Sequence, residues 1–179
     1  MKIILKKLTG GDFRSIGKSN EVVKAVLLNP RLFDSVFSGL LEDDPLVRMR
    51  AADALEKISK QKPEWLQKFK KTILGRIALI KQQEVQWHVA QIIPRLKLSE
   101  SDLIKVRKIL DTYLKTTSSN IVRVMSLQAL ADLALQGRIG KDDAIRVIEQ
   151  YTSKVNTPSV LARSRTLLKQ LAWAYQRKT

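Results

Sequence analysis

In the stretch Asp43-Asp44-Pro45-Leu46-Val47-Arg48-Met49-Arg50-Ala51-Ala52-Asp53-Ala54-Leu55-Glu56-Lys57-Ile58, the apolar residues Val47, Ala51, Leu55 and Ile58 recur at i, i+4, i+8 and i+11. That spacing places all four on one face of an α-helix. Asp44 followed by Pro45 is a helix-start signal, because a short acidic side chain caps free amides and proline at the first position loses no helical hydrogen bond.

The same face is written three more times. Val47, Val85, Val122 and Val160 stand 38, 37 and 38 residues apart, and four positions after each come Ala51, Val89, Ser126 and Ser164. Eight positions after stand Leu55, Ile93, Leu130 and Leu168, and eleven after stand Ile58, Leu96, Leu133 and Leu171. A regular period of this length is the signature of a helical-repeat architecture. Between the repeated segments, residues 31–41, 64–81, 100–115 and 141–154 are also amphipathic at helical spacing, as in Leu103, Val106, Ile109, Leu110 and Tyr113. The repeating unit is therefore a helix pair, and pairs of about forty residues must stack to bury both faces.

Breakers separate the blocks at Gln61-Lys62-Pro63, Ser118-Ser119-Asn120, Gly137 to Gly140 and Thr157-Pro158, and Ser99-Glu100-Ser101-Asp102 reads as a capped helix start. Pro94 is expected to bend its helix without ending it, since Leu96 keeps the phase. A first helix is predicted from Ser19-Asn20 through Leu28, and Ile3-Ile4-Leu5 is the only strand-like piece. These features predict an all-α superhelix of about four helix pairs plus an N-terminal helix, with residues 1–19 as a basic N-terminal appendage and residues 20–179 as the solenoid.

Composition excludes several function classes. The chain has 179 residues, 44% of them hydrophobic, which suits a folded domain. It has no cysteine, so disulfides, thiol nucleophiles and cysteine-based metal sites are excluded, and a reducing compartment is expected. His88 is the only histidine, which leaves no histidine pair for a zinc motif. The opening residues break their apolar run at Lys6 and Lys7, making a poor secretory leader, and the longest aliphatic runs, 25–28 and 77–80, fall far short of a membrane span. A cytoplasmic monomer with no membrane contact, no cofactor and no metal is the expectation.

Gly17-Lys18-Ser19 is tempting as a phosphate-binding loop, but Asp12 stands where that loop needs glycine and Gly11 is one residue too far. A milder reading remains, in which Arg14, Lys18 and the amides after Ser19 hold an anion at a helix start. The alternative is an ordinary capped helix. Arg48, four residues after Asp44, suggests a structural ion pair.

The segment 43–58, with aspartate and proline before Val-Arg and then Ala and Leu at helical spacing, resembles the HEAT-repeat pattern. Asn120-Ile121-Val122-Arg123 through Gln128-Ala129-Leu130 is similar, whereas Gln86 and Leu161 stand where the pattern favours arginine. The resemblance implies an armadillo-type α-solenoid over residues 30–179, with the second helix of each pair lining the concave side. It also implies a function in binding protein or nucleic acid.

Counting helical phase from the core stripe, residues two, six and nine after each valine point toward the presumed groove. They include Met49, Asp53, Trp87, Gln91 and Val124. Trp87 lies about 175° from the stripe, and aromatic side chains of this kind anchor partners. The preferred reading is a non-enzymatic scaffold that binds a protein or peptide through Trp87, Gln91, Met49 and Val124. Trp65 and Trp173 look like packing or capping residues, and His88, about 85° from the stripe centre, like a hydrogen-bonded flank residue.

The net charge of +16, positive in every repeat and +5 over residues 158–179, supports a second reading, a nucleic-acid module. Its phosphate contacts are Lys68, Lys70, Lys71, Lys105, Lys108, Arg163 and Arg165. The plain alternative is that these are solvated helix faces. A third reading, by fold analogy with HEAT-like alkylpurine DNA glycosylases, takes Asp53 as a carboxylate near Trp87.

Overall fold

The computed structural model describes residues 2–176, and side chains as far as Trp173. The helices are α1 (Ile3–Lys6), α2 (Ser19–Leu28), α3 (Phe33–Ser38), α4 (Pro45–Gln61), α5 (Lys70–Thr72), α6 (Gln83–Ile92), α7 (Glu100–Thr116), α8 (Asn120–Leu135), α9 (Lys141–Thr152) and α10 (Pro158–Gln176). Short 3₁₀ turns flank α3, and a 3₁₀ segment at Pro63–Phe69 and a π-helical turn at Ile73–Ile77 flank α5. Among the described residues there is no strand, and no helix is long and apolar enough to cross a membrane. The chain forms two compact units, residues 1–97 and 98–179.

In the first unit, α4 is central and packs against α2, α3 with its following turn, the Pro63–Phe69 segment and α6. Asp44 starts α4 by accepting the Leu46 amide at 2.8 Å. Val47, Ala51, Leu55 and Ile58 are all fully buried. Burying each of the three larger ones contributes about 1.5–3 kcal/mol. The helix comes so close to its neighbours that a Cβ on Gly39 would lie 2.8 Å from Ala51 Cβ and 2.9 Å from Leu5 Cδ2. Beyond this contact an aromatic cluster closes the unit: Phe37 stacks on Phe69 with ring centroids 3.8 Å apart, and Trp65 meets Phe33 edge-on at 5.6 Å.

In the second unit, α8 packs against α7, α9 and α10. Ser99 begins α7 with a reciprocal capping box to Asp102, as its sequence signals. Val122 and Val160 are as deeply buried here as Val47 and Val85 are in the first unit. The rest of the recurring stripe is also buried, except Leu168, which is half-buried beside fully buried Leu167.

The arginine after the repeat valine has the same role in each unit. Arg48 Nη1 donates to the Glu42 carbonyl at 2.7 Å, and Arg123 Nη2 donates to the Thr117 carbonyl at 2.9 Å, six residues back in both cases. Arg48 also donates to the Asp43 carbonyl and to Gln82 Oε1. Its partner is therefore not the Asp44 carboxylate, which is committed to capping α4. Two further expectations are corrected. Pro94 ends α6: the helix stops at Ile92 and Ile93–Arg95 is a 3₁₀ turn leading to extended Leu96, because the proline ring displaces the carbonyl four residues back and offers no amide. Ile3-Ile4-Leu5 forms one helical turn.

Candidate functional site

Outside its apolar stripe α4 carries Arg50, Asp53 and Glu56, spaced three residues apart, and all three are buried. Each is neutralised differently. Arg50 is 2% exposed. Its Nη1 donates to the carbonyls of Leu8 (2.9 Å), Thr9 (3.4 Å) and Gly10 (2.6 Å), its Nη2 to Asp12 (3.2 Å) and its Nε to Ser15 (3.1 Å). The chain from Leu8 to Ser15 is thus wound around one guanidinium, a planar fork with donors enough for such a ring of acceptors. Gly17 closes the cage: its φ is +52°, and a Cβ there would lie 2.7 Å from Arg50 Cζ. Leu5 and Leu8, both fully buried, fasten the preceding turn. Residues 1–19, set apart from the repeats by sequence, are packed into the first unit as far as they are described.

Asp53 accepts the Ser19 hydroxyl at 2.5 Å and Lys57 Nζ at 2.7 Å, and Lys57 also reaches Asn20. The carboxylate imagined as a reacting group thus ties the start of α2 to α4. Glu56 holds Arg95, whose Nη2 donates to its carboxylate at 2.6 Å and whose Nη1 donates to its carbonyl and to the Ser59 hydroxyl; Lys60 adds a second ion pair at 3.0 Å. Burial alone would raise the Glu56 pKa, but the hydrogen bonds and charges of Arg95 and Lys60 outweigh it and hold the group below its ordinary value. His88 moves the other way from its carboxylate neighbours' pull: burial lowers its pKa more than Asp53, Glu56 and Gln91 raise it.

Two cavities flank the caged segment. One, of about 690 Å³, is lined by Lys6, Lys7, Lys18 and Arg50 with Asp12 and the glycines Gly10, Gly11 and Gly17 among its walls. The other, of about 270 Å³, brings Phe13 and Ile16 of the N-terminal loop to Met49, Asp53, Trp87 and His88. Arg50 and Ser15 wall both.

No family model matches the chain, and neither do any curated protein or solved structure.

Of the predicted partner contacts, Met49 is buried in the wall of the smaller cavity, and Gln91 is half-buried with its amide oxygen 3.1 Å from His88 Nδ1. Trp87 is half-buried, its ring 5.6 Å from that of His88. Val124 belongs to the second unit, where it lines a cavity of about 450 Å³ between α8 and α10 with Ile121, Met125 and Ala162. The chain's own loop therefore takes up much of the surface that helical phase assigned to a ligand in the first unit.

The predicted phosphate contacts fare differently. Lys71, Lys105, Lys108 and Arg165 are exposed. Lys68 pairs with Asp34 and lies 5.1 Å above the Phe69 ring, Lys70 donates to the Lys97 carbonyl, and Arg163 is half-buried with its Nε lacking a hydrogen-bond partner. Of the basic residues in the +5 segment 158–179, Arg177 and Lys178 lie outside the described residues. Sequence reasoning missed Arg50. The available signal was a loop rich in glycine ahead of an arginine on the flank of a buried stripe.

Proposed function

We propose that the chain is a non-enzymatic helical-repeat module, a HEAT-like α-solenoid, that binds nucleic acid through its phosphates. The single observation that carries this reading is a charge of +16 whose cations Lys71, Lys105, Lys108 and Arg165 stand exposed in both units. Among the described residues several basic side chains pair with carboxylates, and two of these pairs, Lys115 with Asp111 and Arg146 with Asp143, are each local to a single helix. The equivalent roles of Arg48 and Arg123 support the repeat architecture. A chain without cysteine suits a reducing compartment such as the cytoplasm.

Phosphate contacts of this kind position a strand without reading its bases. Titration with a generic duplex and a generic single strand at two salt concentrations tests the reading. Log affinity is expected to fall with log salt by about 0.9 per duplex phosphate contact and about 0.7 per single-strand contact. Lys105→Ala with Lys108→Ala is expected to reduce the slope. No binding at low salt to either probe overturns the proposal.

A second reading, a peptide docked beside Trp87, is favoured by the exposure of Phe13 and Ile16 where they meet that ring across the smaller cavity. Such binding would be nearly insensitive to salt and sensitive to Trp87→Ala.

A further inference from the structure

We infer that the cavity walled by Lys6, Lys7, Lys18 and Arg50 is a binding site for a phosphate-bearing anion. It goes beyond a general affinity for nucleic acid, because it places a defined pocket at a loop that the helical repeats do not need. Four cations line this cavity against one carboxylate, Asp12, and Asp12 Oδ1 already accepts the Arg14 amide at 2.9 Å. Lys7 is paired with Glu21 at 3.3 Å, but both side chains are about half exposed, so the pair is weak and exchangeable.

The decisive feature is Arg50. Its guanidinium is buried, and among the described residues it pairs with no carboxylate; all five of its recorded partners are backbone carbonyls. Carbonyl dipoles satisfy its hydrogen bonds but do not cancel its charge, and a buried charge without a counter-charge is costly. Nη1 carries three of the carbonyls, whereas Nη2 has only the Asp12 carbonyl at 3.2 Å, which leaves one of its two hydrogens for a further acceptor. An anion in the cavity completes both balances.

The chemistry of the walls selects the class of anion. Lysine ammoniums are point charges that suit a multiply charged group approached from several sides, while a single carboxylate is best met by one planar fork. Gly10, Gly11 and Gly17 line the cavity without side chains, so a bulky oxyanion can approach the backbone closely there, although the Gly17 amide already donates to the Ser15 hydroxyl at 3.0 Å. The volume, about 690 Å³, exceeds what one carboxylate fills and admits a diphosphate or the phosphate and sugar of a nucleotide unit. A strand's backbone and a free phosphorylated small molecule share this chemistry.

Inorganic pyrophosphate is the first probe, added to the full chain while the amide signals of Gly10, Gly11 and Gly17 are followed by NMR. Saturable shifts at these glycines are expected. Lys6→Ala combined with Lys18→Ala should weaken binding by about tenfold or more, while Lys105→Ala with Lys108→Ala leaves it unchanged. Displacement of pyrophosphate by a generic single strand identifies the backbone as an occupant; saturable pyrophosphate binding without displacement identifies a small phosphorylated ligand, and the site stands in both cases. Glycine signals that stay still under pyrophosphate overturn the site. So does a Lys6/Lys18 double variant that keeps parental affinity with an otherwise unchanged amide spectrum. Neither of those results bears on strand binding by the exposed lysines, whose own test is the salt titration.

Discussion

Replacing Arg50 with methionine keeps the apolar stem and removes the guanidinium that holds residues 8–15. Two terms oppose each other. The carbonyls of Leu8, Thr9, Gly10, Asp12 and Ser15 lose a charged donor, which at about 1 kcal/mol each, if they stay buried, sums to roughly 5 kcal/mol. Against this, the variant no longer desolvates a charge, and exchanging a buried ion for an apolar side chain is neutral in some proteins. The segment also has a way to relieve the loss. Phe13 and Ile16 are largely exposed, so residues 9–17 can lift away and hydrate their carbonyls, while fully buried Leu5 and Leu8 keep the turn before them in place. That route limits the cost to about 2 kcal/mol, because the loop contacts given up are partly offset by the backbone entropy regained.

A loss of about 2–5 kcal/mol is therefore expected for Arg50→Met, read by urea unfolding, together with faster tryptic cleavage after Arg14 and Lys18, which are both exposed. Arg50→Lys should fall between parent and Arg50→Met, since an ammonium keeps the charge but has three donors and no planar fork. The cage would be shown to be incidental if Arg50→Met unfolded within about 0.5 kcal/mol of the parent and was cleaved no faster at those two sites.

Gly17→Ala should reproduce much of this effect from the other side of the contact, because its Cβ meets Arg50 Cζ at 2.7 Å and its φ of +52° disfavours a side chain; thermal melting that matches the parent would contradict the geometry. Gly39→Ala should cost about 1–3 kcal/mol by driving α4 from Leu5, measured by the same melts. Glu56 has a folded pKa below its ordinary value, so its stabilisation is fully present above the ordinary carboxylate range and is lost as pH falls through the lowered folded value; Glu56→Gln should flatten the acid limb of a stability–pH profile. His88 is likewise depressed, so its imidazole should titrate below 6.5 by NMR, and stability should decline as pH drops below that value because the unfolded chain takes up the proton first.

The helical character of the chain was legible because it is a one-dimensional property. Val47, Val85, Val122 and Val160 recur with their stripes at helical phase, and a stripe that must be buried can be counted along the sequence; all four valines are buried. Caps were legible for the same reason: Asp44 and Ser99 act on amides two or three residues away.

What lies on the other side of a helix was not legible. Phase arithmetic pointed Met49, Asp53 and Glu56 away from the core stripe, and they do point away from it, yet all three are buried. The reason is that residues 8–17 and the Ile93–Arg95 turn close over that side, through contacts such as Arg50 with Ser15 and Arg95 with Glu56 that span more than thirty positions. Periodicity reports where a side chain points from its own axis; only the three-dimensional fold decides what other part of the chain meets it there. Arg50 shows the difference most plainly. Along the sequence it is one cation among 33, and in the folded first unit it is the charge around which the N-terminal loop is built.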